Sequence, residues 1–256
     1  ARLRSTVTAG HTAQEIELDQ AIVVRGNTAH SSVIRRTSGN CRLFRLMHPD
    51  AVLQDLTITG GDWGETAGNS YGGGVFLGAG RVQDCLIIGN RVRSTQEFTW
   101  TRGGGIYATN GLLLRCVIAG NKHVTSGNWK FQLGGGAYIG GTAVMRNCTV
   151  SSNILEGAGQ DLGAGLYVEG GLVDGCTVNS NRTTGAEGSG NETAGGGVFL
   201  AGGVVQNSLI HANRVNETTL GGRGGGGGVR IAAGTLRFCT VVDNLASGAP
   251  GGGVRR

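Results

Sequence analysis

The chain has 256 residues, 39% of them hydrophobic, with 51 glycines and two prolines; it can build a core, is not wholly disordered, and lacks the Gly-X-Y period of collagen. Its net charge is +5, yet the basic residues are almost all arginines (Lys122 and Lys130 are the lysines) and lie scattered, so no nucleic-acid footprint is expected. No apolar run approaches the roughly 18 residues of a membrane span, so no direct membrane insertion is expected in this segment.

Residues 1–60 read as an atypical N-terminal cap with the first rungs. Ile16 and Leu18, then Ile22 and Val24, alternate like strands, and Val33–Ile34 and Leu43–Leu46 read as further short strands. Residues 61–256 repeat. Leu56, Cys85, Cys116, Cys148, Cys176, Ser208 and Cys239 follow one another at steps of 28 to 32 residues. Five residues after all but the first stands an asparagine: Asn90, Asn121, Asn153, Asn181, Asn213 and Asn244. Two residues after each comes an aliphatic, from Ile58 to Val241, and three before each another apolar residue, from Leu53 to Leu236. A glycine cluster opens each rung, as at Gly103–Gly105 and Gly134–Gly136.

Apolar runs this short are not helices, and valine, isoleucine and threonine favour strands. Such strands bury an inner face only by stacking on their neighbours. Stacked in parallel about 4.8 Å apart, the columns become ladders. Glycine and asparagine are expected at corners where the backbone turns left-handed. The last residues, 251–256, open a new glycine-led rung, so the segment is expected to be part of a longer chain, all one domain.

Segments such as GGGVFLAGGVVQNSLIHANRV, residues 195–215, resemble the parallel β-helix repeats of bacterial surface and secreted proteins, pectate-lyase-like and polymorphic outer-membrane-type. The resemblance implies an all-β, right-handed parallel β-helix, a single-stranded solenoid of about 7–8 rungs of ~31 residues. It also implies a secreted or cell-surface location in a bacterium. The arginine-and-proline motif of pectate lyases has no counterpart here.

The cysteine ladder is expected to consist of inward, unbridged thiols packing as small hydrophobes. No CxxC pair or adjacent histidine suggests a metal, and neither metal nor cofactor is expected. The asparagine ladder is expected to hydrogen-bond to itself and to backbone groups left unpaired by the bend.

After each glycine cluster an aromatic residue sits between two aliphatics. If the aliphatics face the core, Phe76, Tyr107, Tyr138, Tyr167 and Phe199 point outward as a stripe, ended by Arg230. The longest loops precede these strands, and three of them carry Trp63, Trp100 and Trp129. Flat aromatic faces suit sugar rings, so these eight residues are the candidate ligand-binding set; the competing expectation is that the loops fold down over the stripe. Glu156, Asp161 and Glu169 around Tyr167 are the best candidate acids for catalysis.

The expected function is a non-catalytic scaffold or adhesin region that binds a polysaccharide or another cell-surface macromolecule along the aromatic face. A polysaccharide lyase or glycoside hydrolase is one alternative. The other is a stalk or filament subunit that associates end to end with its own copies.

Overall fold

The computed structural model describes residues 7–9, 14–27, 30–64, 68–126, 130–157, 159–184, 192–216, 224–248 and 251–256. They form a parallel β-solenoid of about 7 turns, with no α-helix among them. A regular turn passes through five short strands. In the turn that includes Cys85 they are Val75–Leu77, Arg81–Gln83, Leu86–Ile88, Arg91–Ser94 and Trp100–Arg102. Stacking of equivalent strands gives five parallel sheets, here named in that order the aromatic sheet, the second and third core sheets, the side sheet and the lid sheet. The early strands Ile16–Leu18, Val23–Arg25 and Ser32–Arg36 belong to the same three core sheets as the later turns.

Strand alternation decides what each sheet buries. Val75 and Leu77 point inward with Ile106 and Ala108 above them, while Val82 stacks on Leu113 and Ile87 on Ile118. All eight are fully enclosed and belong to one continuous apolar core. The expected columns are all present in this register.

Cys85, Cys116, Cys148 and Cys176 lie inside and are free, and Cys239 in the last turn is free and half-buried. Their role is more specific than filling space. The Cys116 amide donates to Cys148 Sγ at 3.4 Å, the Cys148 amide to Cys176 Sγ at 3.5 Å, and the Cys176 amide to Ser208 Oγ at 3.1 Å. The corner leaves one N–H per turn facing the core, so the next side chain must be small and carry an acceptor atom. That requirement explains why serine replaces cysteine at position 208.

The asparagine ladder does similar work at the next corner. Asn121 Oδ1 accepts from the Asn90 amide at 3.0 Å and from Asn90 Nδ2 at 3.1 Å. Asn121 Nδ2 donates to Ile87 O at 2.9 Å and to Asn153 Oδ1 at 3.0 Å. The pattern continues through Asn181 and Asn213 to Asn244. The glycine clusters make room for it, since a Cβ on Gly105 would lie 2.7 Å from Asn121 Nδ2. One expectation is corrected: the ladder asparagines do not adopt the left-handed conformation. The residues before them do, Gly89, Gly120, Ser152, Ser180, Ala212 and Asp243. The amide is spent on hydrogen bonds, and the backbone turn falls to its neighbour.

Asn121→Ala is expected to destabilise the fold by about 1–3 kcal/mol, because buried backbone groups lose their partner; urea unfolding measures it. Cys148→Val, which removes the acceptor of the Cys116 amide, is expected to cost about 1–3 kcal/mol, and Cys148→Ser clearly less.

Candidate binding site

The outward column of the aromatic sheet runs Arg45, Phe76, Tyr107, Tyr138, Tyr167, Phe199, Arg230 in strict register. The rings form a stack. Centroid separations are 5.1 Å for Phe76–Tyr107, 4.8 Å for Tyr107–Tyr138, 5.5 Å for Tyr138–Tyr167 and 5.3 Å for Tyr167–Phe199. The planes become nearly parallel along the series, from 41° at the first pair to 2° at the last. The spacing is that of the strands, so stacking follows from register without further design.

The stack is open over only part of its length. The segments between asparagine and glycine cluster fold into the side and lid sheets, and the lid sheet lies against the rings. Leu133, Leu162 and Ala194 pack with Tyr138, Tyr167 and Phe199 in a second apolar cluster, joined by Trp100 and Phe131. Tyr138, Tyr167 and Phe199 are 2%, 8% and 6% exposed, so the structure removes them from any open binding face. Phe76 and Tyr107 remain half-buried. The physical reason is apolar area: five stacked rings in water would form a large exposed patch, and the lid leucines cover most of it.

Trp63 lies beside the open end. Arg42 stacks on its ring at 4.3 Å and lies 5.2 Å from the ring of Phe76, while Arg45 lies 5.6 Å from Phe76. Trp100 stacks on Phe131 at 4.1 Å and 11°, which makes it part of the lid sheet. Trp129 lies outside the described residues.

The three candidate acids have three separate partners. Glu156 pairs with Lys122 on the outside of the side sheet. Asp161 is fully buried and accepts from Gln132 Nε2 at 2.7 Å. Glu169 accepts the hydroxyl of Tyr138, whose phenol is held well above its usual range by burial and then by this carboxylate. Each acid is engaged in a contact that packs or orients a neighbour.

The columns gave no sign of a cavity of about 420 Å³ lined by Gln14, Glu15, Glu17, Cys41 and Trp63. Glu15 pairs with Arg42, which lies over the indole, at 2.5 Å, and Glu17 pairs with Arg45, which lies near Phe76, at 2.8 Å. Tyr71 extends the open end, stacked on Tyr107 at 4.9 Å, with Arg102 over its ring at 5.3 Å. Gln14, Glu15 and Glu17 fall in the irregular first turns, where no repeat marks them. The one available signal was Trp63, in the first of the tryptophan-bearing loops.

Fold and site together define the class: a parallel β-solenoid with a half-covered aromatic ladder that opens beside a polar, tryptophan-walled cavity. No protein-family model, curated protein or solved structure matches the chain.

Tyr138→Ala, in the covered stretch, is expected to cost about 3–5 kcal/mol, as for other buried aromatic truncations. Phe76→Ala at the open end is expected to cost about 1 kcal/mol. Comparing their urea midpoints tests whether the ladder divides into core and surface.

Proposed function

We propose that the chain is a non-catalytic β-helix scaffold of a secreted or cell-surface protein, which holds a saccharide chain at the open end of its aromatic ladder. The carrying observation is that Phe76 and Tyr107 stay half-buried where the next three rings are covered, and that this opening adjoins the cavity walled by Trp63. A sugar ring offers an apolar face for an aromatic plane and hydroxyls for nearby polar groups. Glu17, Arg45 and Gln14 supply those groups at the edge of the rings. Among solenoids, this reading favours the pectate-lyase-like and polymorphic outer-membrane-type proteins, whose repeats residues 195–215 resemble. The separate engagement of Glu156, Asp161 and Glu169 argues against the catalytic alternative built on them.

The test is retention on a panel of immobilised polysaccharides. The double variant Trp63→Ala, Phe76→Ala is expected to lose tenfold or more in affinity, about 1.4 kcal/mol, while losing only about 1–2 kcal/mol of stability and remaining fully folded at the assay temperature. Equal retention of parent and variant on every glycan overturns the reading. Release of reducing ends by the parent replaces it with a hydrolytic one.

A further inference from the structure

The space between the side and lid sheets is lined largely by polar side chains. From the side sheet come Val92, His123, Leu155 and Thr183, and from the lid sheet Thr101, Gln132, Asp161 and Thr193, all buried. His123 Nδ1 lies 3.2 Å from Thr101 Oγ1, and burial lowers the ring's pKa to about 3, so it is neutral. Gln132 and Asp161 face each other on neighbouring lid strands. One bond between them is in place, Gln132 Nε2 to Asp161 Oδ1 at 2.7 Å. The two remaining atoms, Gln132 Oε1 and Asp161 Oδ2, are both fully enclosed and have no partner among the described residues.

As an ionised carboxylate, Asp161 can only accept, and two acceptors cannot satisfy one another. As a carboxylic acid it has one donor, and an acid facing a primary amide closes an eight-membered ring of two hydrogen bonds. Every orphaned atom of the pair is then used. We propose that Asp161 carries its proton in the closed structure, donating Oδ2–H to Gln132 Oε1, and that this acid–amide pair latches the lid over Tyr138 and Tyr167 and releases it when the proton is lost.

The surroundings agree. The ionisable groups on packed elements are His123, Lys130, Glu156 and Glu192. His123 is neutral, Lys130 Nζ donates to Ser94 O at 3.0 Å, Glu156 pairs with Lys122, and Glu192 with Arg230 at 3.3 Å. None of them compensates a charge on Asp161, and burial alone raises that carboxyl well above the carboxylate range. Leu162 and Leu133, the next residues on the two strands, cover the rings, so the latch and the cover share a backbone.

The sign follows from linkage. The closed lid binds a proton that the open lid, with an ordinary carboxyl, releases above about pH 4. The opening constant therefore rises tenfold per pH unit from there until the closed-state value is passed, and then levels. Below that window the lid is most tightly shut.

The experiment follows amide exchange, corrected for intrinsic rates, across Phe131–Leu133 and Gln160–Leu162 as pH is raised, in the parent and in Asp161→Asn. Asparagine can make both bonds and cannot titrate. The latch requires protection to fall about tenfold per pH unit in the parent and to stay flat in Asp161→Asn. A flat parent, or the same slope in the variant, overturns it. Should the variant fail to fold, an infrared titration of the parent labelled at aspartate carboxyls decides. A protonated-carboxyl band persisting above about pH 6 and vanishing together with lid protection supports the latch; its absence overturns it.

Discussion

The structure depends on one constraint: parallel strands stacked in register place every residue beside its counterpart in the next turn. At about 4.8 Å per turn, a choice made at one position is repeated against itself along the axis. Side chains that pair with their own kind gain from this arrangement. Amides do so through donor and acceptor on one group, and rings do so by stacking. Charges do not, and the outer columns show the consequence. Asp84 is bound by Arg115 through two bonds of 2.7 and 2.8 Å, and Arg146 lies 3.5 Å from Asp174 in the same register. At these two steps opposite signs meet, whereas Arg91 beside Lys122 and Arg182 beside Arg214 place like charges next to one another on the outside of the side sheet.

This constraint also decides what could be read from the sequence. Positions at which every turn must solve the same problem left visible columns: Cys116 with Ile118, Asn121, and the glycines beside them. The three core sheets follow from those columns alone. The side and lid sheets did not show, because their enclosed positions are chemically mixed. Thr101, Gln132, Asp161 and Thr193 form one register but mix threonine with glutamine and aspartate. Their turns also differ in length, so they read as loops. The cavity was hidden for a related reason, since Glu15 and Glu17 belong to turns that lack the repeat. The ring column was legible as a column and its covering by the loops was one of the two expectations, but the residues that form the cover, Leu133 and Leu162, left no column.

The two enclosed spaces of the molecule obey different rules. The coil interior is apolar, with its few polar groups confined to corners where Asn121 and its equivalents satisfy the backbone. The space beneath the lid holds hydroxyls, amides, an imidazole and a carboxyl. Polar burial of this kind contributes little net stability and fails sharply when one partner is missing. A cover built on such a core is weaker than the coil to which it is attached. Local opening of the lid sheet is thus energetically separable from unfolding of the solenoid.

Whether a ring belongs to core or surface tracks one position on the lid strand that immediately precedes it in the chain. In register that position reads Tyr71, Arg102, Leu133, Leu162, Ala194. Opposite Tyr138, Tyr167 and Phe199 it is apolar, and those rings are sealed. Ahead of Phe76 and Tyr107 it is tyrosine and arginine, which can lie across a ring without removing it from water. The change from Arg102 to Leu133 is therefore the boundary of the accessible face. At the far end the lid register closes with a single bridge from Ala194 to Gly225, and the outward column changes there from Phe199 to Arg230. Among the described residues the aromatic column thus stops where the lid stops at this end, whereas at the other end Phe76 and Tyr107 continue past its cover. A ligand that followed the ladder would meet two rings, 5.1 Å apart, before running under the lid. A longer one would have to cross the axis from Phe76 toward Trp63, where the arginines of the first turns lie.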